Sequence, residues 1–461
     1  MKKVTDYQNK KVIVLGLAKS GVHAALLLHK LGALVTVNDK KPLSENPEAQ
    51  QLVEEGIRVI AGSHPLALLD EDFSLMVKNP GIPYNNPMVQ RAQELKLPII
   101  TEPELAYEVL EGEFIGITGS NGKTTTTTLI NLMLNDGLST PRAFVAGNIG
   151  VPASEVAQKI KPDQTMVTEL SSFQLLGTTQ LNPHIAVLTN IYEAHLDYHG
   201  NRHNYVEAKM NIIKNQTAED YFVVNWDSEE WQGLSQRTKG QVVPFSRKNL
   251  SHEGSYLQDG FIYFKDEKIC PANIIKIPGQ HNVENALAAI AVAKIKGVSN
   301  QAIIDVLSTF AGVRHRIQFV EEWHQRRFYN DSKATNIEAT TVALQSFDQP
   351  IDLIAGGLDR GFVFDELVSL MKLHVRTMVV YGETANLMID AGKKAGLEKI
   401  VKVENLVDAT KQAVKLSRAN EVILLSPAAA SWDQFNTFEE RGDLFIKTVE
   451  EITNQVEESE K

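Results

Sequence analysis

Lys123 and Thr124 close a glycine-rich turn, Thr118-Gly-Ser-Asn-Gly-Lys-Thr124, that follows the apolar run Phe114-Ile-Gly-Ile117. Strand, turn and helix in this order are the context of a phosphate loop. Gly119 and Gly122 let backbone N–H groups approach phosphate oxygens with no Cβ in the way. A helix over residues 125–134 would aim its positive end at the same anion. Lys123 suits β/γ-phosphate charge, and the Thr124 hydroxyl suits Mg²⁺. The spacing is shorter than G-x-x-x-x-G-K-[ST], which would need glycine where Ile117 stands. Five consecutive threonines, 124–128, open the predicted helix. Threonine is a poor helix former, so the run makes sense if the first hydroxyls have ligands. The plainer alternative is a surface turn with an exposed lysine.

Other reactive side chains cluster after apolar runs. Glu169 ends Met166-Val-Thr-Glu169, where a carboxylate beside a phosphate loop would ligate Mg²⁺; otherwise it is an exposed strand-end acid. His195 lies in Thr189-Asn-Ile-Tyr-Glu-Ala-His-Leu-Asp-Tyr-His-Gly200, able to bind a metal, contact phosphate or satisfy a local hydrogen bond. His199 and His203 read as structural or surface groups. Lys209, in Glu207-Ala-Lys-Met-Asn211, reads from the residues alone as a solvated helix lysine. Asp331, Lys333 and Thr335 share the polar loop Asn330-Asp-Ser-Lys-Ala-Thr-Asn336, preceded by His315 and Arg316. A lysine there could stabilise charge during phosphoryl or acyl transfer. Ser431 ends Ser426-Pro-Ala-Ala-Ala-Ser431, with Phe438 beyond it.

These groups need a scaffold that presents strand ends. Residues 11–16 read as a buried parallel strand, 21–31 as a helix and 34–38 as a second strand ending at Asp39. The connecting turn, Gly16-Leu-Ala-Lys-Ser-Gly21, keeps the first and third glycines of G-x-G-x-x-G but has Ala18 in place of the middle one, which lets pyrophosphate approach. The shape suggests a Rossmann-like domain for a different nucleotide; a dinucleotide site and a turn with purely structural glycines are the alternatives. Strands are predicted at 73–78, 98–101, 166–170, 185–191 and 221–225, with a hairpin at 259–269. Helices are predicted at 102–110, 282–296 and 300–310. The last region adds strands at 327–330, 351–355, 377–381, 400–403 and 422–425. Such alternation gives parallel sheets covered by helices on both faces, with ligands at the carboxyl ends of strands.

At 461 residues the chain exceeds one hydrophobic core and suggests about three domains. Hydrophobic content of 43% and charged content of 22% are ordinary for a globular protein. A net charge of −11 argues against nonspecific nucleic-acid or acidic-membrane binding. One cysteine, Cys270, excludes an internal disulfide framework and fits a reducing cytoplasm. No signal peptide and no membrane-spanning run are expected. A polar tail, 456–461, is expected to fray.

In their order, the phosphate-loop segment, Glu169-Leu-Ser-Ser-Phe-Gln-Leu175, the His195 segment, Gly279-Gln-His-Asn282, His315-Arg316, the 330–336 loop and Leu425-Ser-Pro-Ala-Ala-Ala-Ser431 resemble the Mur ligase family of ATP-dependent amide-forming enzymes. The resemblance covers essentially the whole chain. The 330–336 and Leu-Ser-Pro segments point to members that add D-glutamate, and the Asp-Asn-Pro-Arg motif of members adding diaminopimelate or lysine is absent. The resemblance implies three α/β domains: a Rossmann-like UDP-sugar domain (1–106), a central P-loop ATPase-type domain with a mainly parallel sheet (107–311), and a C-terminal Rossmann-like domain (312–461) helping to bind ATP and the amino acid.

By the same resemblance, Gly119, Ser120, Asn121, Gly122, Lys123, Thr124, Thr125, Asn282, Asn285, Arg316 and Asp331 contact ATP. Thr124 and Glu169 ligate one Mg²⁺. His195 and Lys209, the latter carrying a carbamate derived from CO₂, support a second. Lys19, Ser20, Asp39, Lys40, Asn148 and His195 match the UDP-sugar region. Lys333, Thr335, Ser431 and Phe438 match positions around D-glutamate or the transfer centre. Arg360, in Gly357-Leu-Asp-Arg-Gly361, stands where some members have a carboxylate-binding lysine. Arginine and lysine are not interchangeable at such a site. Lys123, His195, Lys209 and Lys333 are the catalytic candidates.

The implied substrates are UDP-MurNAc-L-Ala and D-glutamate, joined through an acyl phosphate in the cytoplasm by a monomer that binds neither nucleic acid nor membrane. Rival readings are a folylpolyglutamate synthase-like ligase, a nucleotide-dependent switch without ligase chemistry, and a dehydrogenase using the first domain. The intact first domain weighs against the first, and the missing glycine against the last; product formation decides the second.

Overall fold

A computed structural model of the chain describes residues 1–361, 363–397 and 399–459. The apolar runs become strands because parallel sheets bury both faces: Val12, Ile13, Val14 and Leu15 are wholly covered. Truncating such a residue, as in Leu15→Ala, costs about 2–5 kcal/mol. The chain divides into two compact units, Met1–Ala272 with Glu284–Val306, and Asn273–Val283 with Leu307–Lys461.

The first unit holds two sheets. One contains β1 (Lys11–Leu15), β2 (Leu34–Asp39), β3 (Arg58–Ala61), β4 (Leu75–Lys78) and β5 (Ile99–Ile100) in the order β3-β2-β1-β4-β5. All its pairings are parallel, which is the Rossmann-type order. Gly21 is required because a Cβ there would lie 2.0 Å from the Gly16 carbonyl oxygen.

The second sheet contains β6 (Glu113–Thr118), β7 (Ala143–Gly147), β8 (Thr165–Glu169), β9 (Ile185–Leu188), β10 (Tyr221–Asn225), β11 (Gln241–Ser246), β12 (Ser255–Gln258), β13 (Phe261–Phe264) and β14 (Glu267–Pro271). Its order is β14-β13-β12-β11-β10-β9-β6-β8-β7. It is parallel up to β12 and antiparallel through the expected hairpin β13–β14. The strand predicted over 185–191 ends at Leu188, because Thr189 and Asn190 leave the sheet to bond the phosphate loop. Beyond it, Gln280–Ile295 is buried on every side from Ala286 to Ala293, the state its alanine-rich sequence suits.

The two sheets of this unit are tied by buried carboxylates. Glu104 accepts from the Thr179, Gln180 and Leu181 amides and the Thr179 hydroxyl. Glu102 accepts from the Ser154 amide at 2.5 Å.

The second unit holds β15 (Gln318–Trp323), β16 (Arg326–Asn330), β17 (Ile351–Ala355), β18 (Val375–Val380), β19 (Lys399–Lys402) and β20 (Val422–Leu425), in the order β15-β16-β20-β17-β18-β19. The edge strand β15 is antiparallel and had no alternating signal in the sequence. The last helix, Phe438–Ser459, continues through most of the tail expected to fray, whose final residues, 460 and 461, lie outside the described residues. No helix among the described residues is long and apolar enough to cross a membrane.

Candidate active site

In the first unit the polar clusters gather at the carboxyl ends of β6, β8 and β9. The turn after β6 begins a helix, Lys123–Asn135, whose N-cap Gly122 has φ 81° and no side-chain cap. Glycine is needed there twice over, since a Cβ would meet Asn285 Oδ1 at 2.1 Å. Asn190 braces the loop: its carbonyl accepts from the Ser120 amide at 3.0 Å and its Oδ1 from the Asn121 amide at 2.9 Å. The Thr189 hydroxyl donates to the Asn121 carbonyl at 2.6 Å. Lys123 Nζ donates to the Gly119 and Ser120 carbonyls, both at 2.9 Å.

Three hydroxyls of the threonine run bond within the chain, while the buried Thr127 Oγ1 has no hydrogen-bond partner among the described residues. Thr124 Oγ1 donates to Glu169 Oε2 at 2.7 Å, Thr126 Oγ1 to Asn285 Oδ1 at 3.4 Å and Thr128 Oγ1 to the Thr124 carbonyl at 2.8 Å. Thr125 is buried beside them. Glu169 is buried, and its Oε1 accepts from Asn148 Nδ2 at 2.9 Å. Asn148, matched to the sugar nucleotide by resemblance, therefore stands beside Glu169.

Lys209 corrects the reading of its sequence as solvated. It is buried, and Nζ donates to the Gly119 carbonyl at 2.7 Å. Its helix, Arg202–Met210, is polar overall but buries Tyr205, Val206, Ala208, Lys209 and Met210. Burial holds the amine well below the usual lysine range; Lys123 adds to the effect and Glu169 opposes it. Lys209 Nζ lies 4.6 Å from the Tyr205 ring centroid, and the His195 ring 6.3 Å from the same ring. Tyr205 Oη is hydrogen-bonded to Ser120 Oγ at 2.9 Å. His195 has φ 55° and packs edge-on against Phe173 at 5.0 Å. His199 is structural as expected, bonded to Ser172 at 3.0 Å and stacked on Phe173.

At the end of the first sheet, Lys19 and Ser20 open the helix Lys19–Lys30, and Asp39 ends β2. Asp39 braces the turn, its oxygens accepting from the Leu17 and Lys41 amides at 2.7 and 2.8 Å. Lys19 and Lys40 are exposed. Lys78, which ends β4, carried no signal in the sequence yet is fully buried, with its ammonium lowered to about 8 by desolvation.

In the second unit, Asn282 Nδ2 donates to the Pro278 carbonyl at 2.5 Å. Asp331 is buried at the end of β16; its oxygens accept from the Ile317 amide at 3.2 Å and Ser426 Oγ at 2.8 Å. Burial raises its carboxyl to about 7, against the pull of these hydrogen bonds and of Arg316 and Arg441. Lys333, His315, Phe438 and Asp443 line a cavity of about 240 Å³, with Lys333 Nζ 5.6 Å from the Phe438 ring. Thr335 N donates to the Lys333 carbonyl at 2.9 Å. Ser431 is buried where the β20 loop ends; Arg360 is exposed after the Gly357 loop. Sequence reasoning missed Arg441, whose wholly buried guanidinium donates to Ser332 Oγ, the Ser332 carbonyl and the Ala429 carbonyl. It pins together the two loops that carry Lys333 and Ser431.

A loop of backbone amides, a lysine, a buried hydroxyl–carboxylate pair and a second, buried lysine thus gather at the carboxyl ends of β6, β8 and β9. Three stretches match family descriptions: "Mur ligase MurD-like, N-terminal domain" over 10–101, "Mur ligase middle domain" over 117–293, and "Mur ligase, glutamate ligase domain" over 315–429. The chain belongs to the Mur ligase family. It is 60% identical over 459 residues to the UDP-N-acetylmuramoylalanine–D-glutamate ligase of Lactiplantibacillus plantarum, covering 100% of both chains. It is 61% identical over 461 residues to the enzyme of the same name from Lacticaseibacillus casei, again covering 100% of both. Among solved structures, the UDP-N-acetylmuramate-alanine ligase of Thermotoga maritima shares the fold, with a TM-score of 0.58 at 21% identity, covering 96% of this chain and 99% of that one.

Proposed function

We propose that this chain is an ATP-dependent, ADP-forming ligase that adds D-glutamate to the alanyl carboxylate of UDP-N-acetylmuramoyl-L-alanine, a step of peptidoglycan precursor synthesis. The observation that carries this reading is whole-length identity of about three residues in five to relatives of that name. The reaction forms one amide bond. Phosphoryl transfer to the alanyl carboxylate gives an acyl phosphate, the D-glutamate amine attacks its carbonyl, and phosphate leaves.

We assign residues 1–106 to the UDP-sugar domain, 107–311 to the ATP-binding domain and 312–461 to the domain for D-glutamate and part of ATP. Gly119 to Thr125, with Asn282, Asn285, Arg316 and Asp331, would bind ATP. Lys123 and the helix N-terminus would offset charge where a carboxylate meets a triphosphate. Lys19, Ser20, Asp39, Lys40, Asn148 and His195 would hold the sugar nucleotide. Lys333, Thr335, Arg360, Ser431 and Phe438 would surround D-glutamate, with Lys333 beside the transfer centre.

The hard oxygen donors of Thr124 and Glu169 suit Mg²⁺. His195 and Lys209, both against Tyr205, would support a second ion once Lys209 carries a carboxylate. Bound Mg²⁺ supplies charge neutralisation and polarises the transferring phosphoryl group. The depressed basicity of Lys209 favours a free amine, which can add to CO₂ with loss of a proton to give a carbamate. We place the reaction in the cytoplasm and the enzyme as a monomer.

The test is phosphate release from Mg·ATP and UDP-MurNAc-L-Ala with D-glutamate, L-glutamate or no amino acid. Release that requires D-glutamate, with a product one glutamyl residue heavier, is expected. Release indifferent to the amino acid, or none, would overturn the reading.

A further inference from the structure

Lys78 lies at the point where the strand order of the first sheet reverses, between β1 and β4. Ligand crevices of such sheets open there. Its side chain is fully buried and, among the described residues, forms no ion pair. Lysine is almost never buried in this way without a partner. Here the partners are neutral oxygens: the carbonyls of Ile82 at 2.7 Å, Asn79 at 3.2 Å and Pro80 at 3.4 Å, and Tyr198 Oη at 3.1 Å. The Tyr84 ring lies 4.9 Å away. Three carbonyls of one short loop converge on one point, and their dipoles repel one another unless a cation sits between them.

The outer side of that loop fits the turn proposed for the sugar nucleotide. Asn79 Nδ2 donates to Ser20 Oγ at 3.2 Å, and the Asn79 amide to the Leu15 carbonyl at 2.9 Å. A Cβ on Gly16 would strike Ile82 at 2.8 Å and Asn79 at 2.9 Å, so turn and loop interlock. On the other side, Tyr198 Oη lies 3.0 Å from both the Pro80 and Ile82 carbonyls. The Tyr198 ring packs edge-on against Phe173 at 4.4 Å. Phe173 in turn packs against His195.

We propose that Lys78 is a positioning residue for the amide-forming reaction: it holds the 79–82 loop against the Gly16–Ser20 turn and, through Tyr198, sets the place of His195 relative to that turn. This rests on the ligase reading. Under it, the two residue groups that hold the UDP sugar sit on loops of different sheets, and the span between them must match one substrate. ATP and D-glutamate bridge no such span.

The test compares Lys78→Met, Tyr198→Phe and the double variant with the wild type. Lys78→Met keeps the apolar stem and removes the cation. It is expected to raise KM for UDP-MurNAc-L-Ala about tenfold, with KM for ATP and D-glutamate within about twofold of wild type. Tyr198→Phe keeps the ring and is expected to raise the same KM about threefold, with unchanged thermal stability. If both residues act through one contact, the double variant resembles Lys78→Met alone. An unchanged sugar-nucleotide KM, a parallel rise in all three KM values, or multiplying effects in the double variant would overturn the proposal. Should Lys78→Met not fold, an unchanged KM in Tyr198→Phe overturns it alone. A wild type without D-glutamate-dependent turnover would instead sink the ligase reading.

Discussion

Thr124 Oγ1 donates to Glu169 Oε2 at 2.7 Å, joining the head of the phosphate-loop helix to the end of the adjacent strand. The pair exists because β6 and β8 run parallel in a register that places Ile117 opposite Glu169, one residue before Thr118 begins the turn. Removing the hydroxyl by Thr124→Ala is expected to lower kcat roughly 100-fold and raise the Mg²⁺ concentration needed for half-maximal rate. Thr124→Ser should restore most of both. A Mg²⁺ titration checks this; an unchanged Mg²⁺ dependence in Thr124→Ala would remove the pair from the metal site.

Lys123 is only partly buried, and its ammonium curls back onto its own loop through the Gly119 and Ser120 carbonyls. Lys123→Ala is expected to reduce turnover by about 10³-fold or more, while circular dichroism and melting temperature stay near wild type. Near-normal activity would exclude the loop from the mechanism.

Lys209 should make activity depend on dissolved CO₂. Enzyme stripped of CO₂ is expected to lose roughly tenfold or more of its rate and to recover it with bicarbonate. Lys209→Ala should be inactive and indifferent to bicarbonate. Carbon-13 bicarbonate followed by NMR reads the carbamate directly, and no labelled carbamate on active wild type would contradict the assignment.

Glu102 supplies a pH dependence of stability. Its burial raises the carboxyl from the ordinary 4.5 to about 7, so the folded chain binds the proton more tightly than the unfolded one. The contribution is fully present below pH 4.5 and is lost as pH rises through 7, a change on the order of 3 kcal/mol at most. Glu102→Gln keeps an acceptor for the Ser154 amide and removes the titration. Urea unfolding at pH 5 and pH 8 should show the variant losing less stability than wild type between them. Parallel losses would contradict this.

The phosphate loop, the strand-end acid and the Rossmann-like opening were legible because each is a local pattern: a glycine spacing, an apolar run, a polar cluster after it. What escaped the sequence depends on partners far along the chain. Asn190 braces amides about 70 residues away, a contact set by the pairing of β6 with β9. Lys78 reaches Tyr198 across 120 residues, and Arg441 reaches Ser332 across 109. Lys209 misled the reading because its helix is mostly polar, so no apolar stripe marks the face that turns inward. The edge strand β15 escaped because its residues are only half buried and do not alternate.

The most direct measurement follows the oxygen atoms of the alanyl carboxylate. UDP-MurNAc-L-Ala labelled there with oxygen-18 is turned over with Mg·ATP and D-glutamate, and the released phosphate is analysed by mass. An acyl phosphate requires one labelled oxygen to leave with each phosphate, and that transfer is the predicted result. Amide product accompanied by unlabelled phosphate would contradict the account.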